Sequence, residues 1–194
     1  MKVLGIDPDT QASGWAIVTE GPRVLKAGCV NTKHYHRKGL EAATLQGKKL
    51  AHKVKSLITD KLEEKIDSIV IESQQAYRYS YKRPIDPNKL IILGYVSGAA
   101  IGGAFAHDNV RLVPPREWKG NVSKGATHRR IIDALEGWST PPKVCKSSAI
   151  TEVTVDPSLD CEFDLDGLVG GGPWSEIMDA IGLAIYGLKR LKCE

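Results

Sequence analysis

The chain opens on Val3-Leu4-Gly5-Ile6-Asp7, an apolar run that ends on a carboxylate, and Pro8 to Gly14 follows it as a turn. Trp15 to Val18 returns as a second strand. Val24 to Val30, rich in β-branched residues and preceded by Gly21-Pro22, gives a third, so the opening reads as a three-stranded antiparallel meander. Leu40, Ala43, Leu50, Ala51, Val54, Leu57, Ile58 and Leu62 recur at helical spacing with charges between them, which predicts an amphipathic helix from Leu40 to about Lys65. Asp67 to Glu72 is a continuous apolar run ending on a second carboxylate, a pattern suited to a central strand buried on both faces. A helix from Asn88 to Ala106, a strand from Val110 to Val113, a helix from Gly125 to Gly137 and a last helix from Trp174 to Leu191 complete the periodic segments. Helical connections make the later strands parallel to the first, so the expected fold is α/β, with a mixed five-stranded sheet flanked by helices.

Two stretches complicate this pattern. Leu90 to Ala106 is the most apolar part of the chain, but Gly94, Ser97, Gly98, Gly102 and Gly103 interrupt it, and it falls short of the roughly 20 residues that span a bilayer. It reads as a buried helix whose glycines permit close packing, against the sheet or across a dimer interface. Trp138 to Pro173 is long, rich in Pro, Ser, Asp and Gly, and reads as an insertion (residues 138–173) before the last helix. Within it, Ile150 to Val155 and Cys161 to Leu165 are expected to pair as a hairpin across Asp156-Pro157-Ser158. Residues 1–194 are then a single domain, in line with roughly 150 residues per domain.

Composition narrows the class. With 42% hydrophobic and 26% charged residues, the chain is neither disordered, collagen-like nor membrane-spanning. It enters a strand pattern directly after Met1-Lys2, with no signal-peptide pattern, so a cytoplasmic site with no membrane partner is expected. Four cysteines without a C-x-x-C pair are expected to be reduced thiols. The net charge of +4 hides an uneven distribution. Arg111, Arg116, Lys119, Lys124, Arg129 and Arg130 fall in one short stretch against Glu117, and Arg78, Lys82, Arg83 and Lys89 lie close together in another. Both are candidate phosphate-binding surfaces. Ser147 to Glu176, by contrast, holds seven acids and no Lys or Arg.

The candidate chemistry lies in the acids. Asp7 and Glu72 each end an apolar strand, and if those strands are neighbours their side chains emerge side by side. Glu176 and Asp179 are three residues apart on the last helix and share a face. Carboxylates converge at a cost, because each raises the other's pKa, and a hard divalent cation removes that conflict. Oxygen-only ligands favour Mg²⁺, with Mn²⁺ able to substitute, over Zn²⁺. Two such ions about 4 Å apart suit phosphodiester hydrolysis. The segment after Glu72 alternates Tyr77, Tyr79 and Tyr81 with Arg78, Ser80 and Lys82, which suits stacking on unpaired bases and phosphate contact. His34 and His36 read as a solvated turn, Cys145 and Cys161 lack partners for a zinc site, and Asp164 and Asp166 read as an exposed turn.

Gly5-Ile6-Asp7-Pro8 with Gly14, Ile71-Glu72, Leu93-Gly94 with Gly98-Ala99-Ala100, Trp118-Lys119-Gly120 with Lys124, and Glu176-Ile-Met-Asp179-Ala180, in this order, resemble the RuvC family of Holliday junction resolvases, particularly its phage-type members. The resemblance implies a ribonuclease H-like fold and a homodimer that binds four-way DNA junctions and makes paired nicks in a bacterial or phage-infected cell. It implies a metal site of Asp7, Glu72, Glu176 and Asp179. Lys119 and Lys124 are expected to neutralise charge at the scissile phosphate. Tyr77, Arg78, Tyr79, Lys82, Arg83, Arg116, Arg129 and Arg130 are expected to contact DNA. Two departures stand out: the family has Gly where this chain has Asp9, and Asp where it has Glu176. A broader flap nuclease, a junction-binding scaffold without catalysis and an actin-like ATPase are the alternatives, the last disfavoured because Pro8-Asp9 stands where a phosphate loop needs glycine.

Overall fold

Alternate residues of a strand face opposite sides of its sheet, and here that parity decides what each helix layer covers. In the computed structural model the described residues are 1–21, 23–32, 38–59, 65–74, 86–135, 144–146, 151–153, 162–164 and 173–189. The opening meander is β1 (Lys2–Asp7), β2 (Ala12–Thr19) and β3 (Arg23–Asn31), paired antiparallel in order. A helix, α1 (Gly39–Thr59), leads to β4 (Ser68–Glu72), which pairs parallel with β1. A second helix, α2 (Pro87–Gly103), leads to β5 (Val110–Val113), parallel to β4. Two short helices, α3 (Pro115–Lys119) and α4 (Lys124–Ala134), follow. After the strands β6 (Val144–Lys146), β7 (Thr151–Val153) and β8 (Glu162–Asp164) comes α5 (Pro173–Gly187). The expected mixed five-stranded sheet is present in the order β5-β4-β1-β2-β3, and β8 extends it beyond β3.

Leu4, Ile6, Trp15, Ile17, Ile69 and Ile71 point to one side and form a core with Leu50, Val54 and Leu57 of α1 and Val96 and Ala100 of α2. Val3, Ala16, Val18 and Val70 point to the other and pack on Ile177, Ile181 and Ala184 of α5, with Trp118 and Ile131 closing the cluster. By the same parity Asp7 and Glu72 face α5.

Glycine sets how close α5 comes. A methyl group on Gly5 would run into the Ala180 carbonyl oxygen and sit 2.7 Å from the Ala184 nitrogen, and one on Gly14 would run into the Glu176 carbonyl. Gly14 lies opposite Asp7 across the β1–β2 pair. The backbone of α5 therefore rests directly on the sheet beside Asp7, with its acids at the sheet edge.

Several expectations change. Leu40, expected on the buried face of α1, is 61% exposed in the first turn, while the polar Gln46 is fully buried. Gln46 is satisfied there: its amide donates to Ser13 Oγ and the Val30 carbonyl, and its oxygen accepts from Thr32. The α2 helix, expected to be buried, is covered on one side. Gly103 rests on Ala51 of α1, while Gly94, Gly98 and Gly102 face open space, with Ile91 and Tyr95 exposed beside them. The helix packs mainly on α1, and among the described residues no layer covers its outward face. The hairpin expected between Ile150–Val155 and Cys161–Leu165 is replaced: β7 pairs antiparallel with β6, and β8 pairs parallel with β3. The edge of β3 away from β2 is available for a further strand, and β8 takes it over three residues, Lys26 to Gly28 against Glu162 to Asp164. Asp164 accordingly lies in a strand, opposite Gly28, and not in a turn. No described helix is long and apolar enough to cross a membrane.

Overpacking against backbone is costly, so Gly5→Ala is expected to destabilise by about 3 kcal/mol, a fall of roughly 6–12 °C in Tm. Gly94→Ala, in open space on a helix, is expected to hold or raise stability by about 0.5–1 kcal/mol. Thermal melts of both variants beside wild type check the contrast.

Candidate active site

The last residues of β1 and β4 supply Asp7 and Glu72, which are 5% and 7% exposed. Asp179 is buried on α5, one turn from the half-buried Glu176. One carboxylate oxygen from each of Asp7, Glu176 and Asp179 lies within 4.8 Å of the others. An octahedral ion with ~2.1 Å bonds sets its ligands roughly 3.0–4.2 Å apart, so a small inward movement would bring these three onto one ion, and the donors are hard oxygens. The residues present therefore fit a Mg²⁺ or Mn²⁺ ion. Glu72 stands outside this triplet. Its Oε2 accepts from the Trp118 indole N–H at 2.8 Å and lies 3.0 Å from Lys119 Nζ.

The cations come from α3 and α4. Lys119 closes α3, and Gly120, with a positive φ of 69°, turns the chain so that Lys124 at the start of α4 faces the same acids. Lys119 Nζ is 3.1 Å from Asp179 Oδ2. Lys124 Nζ is 3.3 Å from the same oxygen and 3.9 Å from Glu176 Oε1. His128, one turn beyond Lys124, places Nε2 3.2 Å from Asp179 Oδ1.

Burial and crowding set the protonation of the acids. Desolvation, helped by the charges of Glu72 and Asp179, holds the Asp7 carboxyl well above its ordinary range, and Lys119 offsets this in part. Burial also raises Glu72, against the pull of Lys119 and Trp118, and raises Glu176, against Lys124 and a hydrogen bond shared with Asp7. Asp179 goes the other way. Burial would raise it, but the His128 hydrogen bond and the two lysines hold it below the usual value. Asp179 is therefore the settled anion of the group, while the carboxyls of Asp7, Glu72 and Glu176 are all raised.

Asp9, the departure from the family pattern, is occupied by its own turn. Its Oδ1 accepts from the backbone N–H of Gln11 at 3.0 Å and of Ala12 at 3.4 Å, while Ser13 Oγ bonds both its N–H and its carbonyl. These amides are spent within the turn, which removes the donors that an ATPase phosphate loop would present.

Among the sequence candidates, Asp7, Glu72, Glu176, Asp179, Lys119 and Lys124 come together. Arg116 and Arg129 are exposed, and Arg130 half-buried, on the two helices that deliver the lysines. Tyr77, Arg78, Tyr79, Lys82 and Arg83 lie outside the described residues, as do His34, His36, Cys161 and Asp166. Sequence reasoning missed two side chains in contact with the acids, Trp118 as a hydrogen-bond donor to Glu72 and His128 as a partner of Asp179. The four-residue spacing from Lys124 to His128, which puts both on one face of α4, was the available signal.

An Asp7 carboxyl raised above its unfolded value costs stability as pH rises from the ordinary carboxylate range through the raised value, because the unfolded chain then releases the proton more readily. At neutral pH, Asp7→Asn is therefore expected to stabilise the metal-free protein by about 1–2 kcal/mol, roughly 2–8 °C in Tm. Mg²⁺ should raise the Tm of wild type more than that of the variant. Thermal melts with and without Mg²⁺ measure both effects.

No protein-family model and no curated protein matches the sequence. Among solved structures, the chain is similar to T. thermophilus RuvC in complex with a Holliday junction substrate, at 18% identity and a TM-score of 0.59, over 95% of this chain and 91% of that one. It is similar also to a second Thermus thermophilus RuvC structure, at 16% identity and a TM-score of 0.55, over 99% of each chain. At this level of identity the likeness is one of architecture, and the chain has the ribonuclease H-like α/β fold seen in RuvC.

Proposed function

We propose that this protein is a divalent-metal-dependent endonuclease that resolves four-way DNA junctions by paired phosphodiester hydrolysis. The observation that carries the reading is the convergence of Asp7, Glu176 and Asp179 on one point, with Glu72 beside them and Lys119 and Lys124 at their margin. The likeness in fold to a RuvC structure holding a Holliday junction supports the choice of substrate. Asp7, Glu176 and Asp179, with Glu72 beside them, would hold a divalent ion, Mg²⁺ with Mn²⁺ as substitute, which would supply Lewis-acid activation of water and offset phosphate charge. Asp179, kept ionised by His128 and the two lysines, is a ligand ready at neutral pH. Lys124, half exposed, is placed to meet a phosphate oxygen entering from solvent, and Lys119 presents fixed positive charge where charge builds up on the scissile phosphate.

Arg116, Arg129 and Arg130 extend this positive margin along α3 and α4 and are assigned to the DNA backbone. Tyr77, Arg78, Tyr79, Lys82 and Arg83 are assigned to unpaired bases and phosphates at the junction centre. Residues 1–194 act as one nuclease domain with 138–173 inserted in it.

One site cuts one strand, and a two-fold symmetric junction therefore calls for two sites related by a two-fold axis. The open stripe of Gly94, Gly98 and Gly102 on α2, flanked by Ile91, Tyr95 and Phe105, is a surface suited to close contact with a second copy. Ile91→Glu is expected to shift the protein from dimer to monomer in sedimentation velocity with its Tm unchanged, and a dimer that survives the substitution argues against this face.

The direct test is cleavage of a synthetic four-way junction in Mg²⁺, with simple duplex and flap substrates alongside. Wild type is expected to nick opposing strands of the junction, and Asp7→Asn to bind without nicking. Equal cleavage of flaps or duplex makes resolvase too narrow a description, and junction binding by wild type without nicking leaves a scaffold. Lys119→Ala is expected to slow cleavage by about 10²-fold with much less effect on junction affinity, and equal loss of both contradicts its role at the scissile phosphate.

A further inference from the structure

On the face of the sheet away from α5, the turn that follows Asp7 walls a cavity of about 530 Å³, a volume ordinary for a small-ligand site. It lies at the edge where β1 and β4 end, and α1 and α2 form its other sides. Ala42, Ile92 and Leu93 give it apolar surface. Thr10, Gln11, Asn88 and Lys89 stand around it with side chains that make no hydrogen bond or ion pair among the described residues. Asp9 and Asp86 also line it, two carboxylates against the one ammonium group of Lys89, so the cavity as a whole repels an anion. The first amides of α2 are spent as well. Asn88 N–H donates to Asp86 Oδ1, and the N–H groups of Lys89 and Leu90 donate to the Asp86 carbonyl. A phosphate group therefore finds little here, whereas a neutral ring with donors and acceptors on its edge meets apolar surface and two free side-chain amides, the groups that pair with base edges. The wall shared with Asp7 is stiff before anything binds. Ser13 Oγ holds the N–H and carbonyl of Asp9, Thr32 N–H donates to the Gln11 carbonyl, and buried Gln46 holds Ser13 and Thr32 from behind.

We propose that this cavity takes the base of a nucleotide flanking the cleaved phosphate, turned out of the DNA stack, and that Gln11 and Asn88 read its edge. The proposal rests on the reading of the acids as a nuclease site and adds to that site a source of base preference. Distance agrees. Asp9 stands two residues beyond Asp7, so their Cα atoms are at most about 7.6 Å apart, and a base is joined to its own phosphate through a single sugar. A strand whose phosphate lies on the acids can thus cross the turn and set its base down on the other side. Turning a base out costs least where it is already unpaired, which is the condition at the centre of a junction. Among the described residues the lining holds no aromatic side chain, so the base is gripped by its edge and by apolar contact, and not by stacking. Lys89, exposed at the rim, is left for a neighbouring phosphate.

A fluorescent base reports the event directly. The nick made by wild type in a synthetic four-way junction is mapped, and 2-aminopurine, which brightens when unstacked, is placed in turn at each position flanking it. Asp7→Asn protein in Mg²⁺ holds these junctions uncut. Fluorescence is expected to rise severalfold at one position on binding, and to stay at the level of free junction when Ala42→Leu is added to fill the cavity. In cleavage by protein with Asp7 intact, changing the base at that position is expected to alter the rate by about fivefold or more, and Gln11→Ala combined with Asn88→Ala to erase the spread. No rise at any position, or a rise that persists in an Ala42→Leu protein of native circular dichroism, overturns the proposal and leaves the nuclease reading standing. Failure of wild type to nick the junction overturns both. Should Ala42→Leu fail to fold, the Gln11 and Asn88 pair decides, and a base preference that survives their loss overturns the proposal.

Discussion

Four carboxylates held out of water within reach of one another are the constraint on which this molecule is built. Left alone they would repel, take up protons or pull apart the elements that carry them. The protein resolves the conflict unequally. Asp179 is surrounded by Lys119, Lys124 and His128 and stays an anion, while Asp7 and Glu176 share a hydrogen bond under raised pKa. The asymmetry leaves Asp179 an anion and Asp7, Glu72 and Glu176 with raised carboxyls, a conflict that a divalent cation would relieve.

Holding that conflict in place requires stiffness on both sides of the sheet. Beneath α5, the bare backbone at Gly5 and Gly14 lets helix and strand meet without intervening side chains, so a shift in either is felt at the acids. On the far side, Gln46 reaches from α1 to Ser13 and Thr32, and Ser13 in turn clasps the backbone of Asp9. This buried polar chain fixes the turn that follows Asp7. A fully satisfied network of this kind rigidifies without the cost of an orphaned polar group.

Much of this was legible in the sequence, for reasons that are local. Val3 to Asp7 and Ile69 to Glu72 are short apolar runs with a carboxylate at the end, and strand parity then sends both acids to one face. Glu176 and Asp179 declare their common face by helical spacing. The partners of those acids were harder to read. His128 belongs to the site because α4 packs beside α5, a tertiary fact with no local signature beyond its spacing from Lys124. Trp118 enters the sequence reading only within the Trp118-Lys119-Gly120 motif, and its N–H gains a role when α3 swings it against β4. The pairing of β8 with β3 escaped notice because three residues carry too little alternation to identify a partner strand, and an open sheet edge accepts many.

The placement of α5 has a consequence for how the site comes into being. Asp7 is made at the start of synthesis and Asp179 near the end of the described chain, and the contact that joins them closes almost the longest loop the fold contains. The meander, α1 and β4 can form while the ribosome is still at work, since domains organise from the N-terminal side as they emerge. Until α5 settles onto Gly5 and Gly14, however, Asp7 has no acidic companions from that helix. A nascent or truncated chain on this account lacks the assembled acid cluster, and the site is completed by the last step of folding.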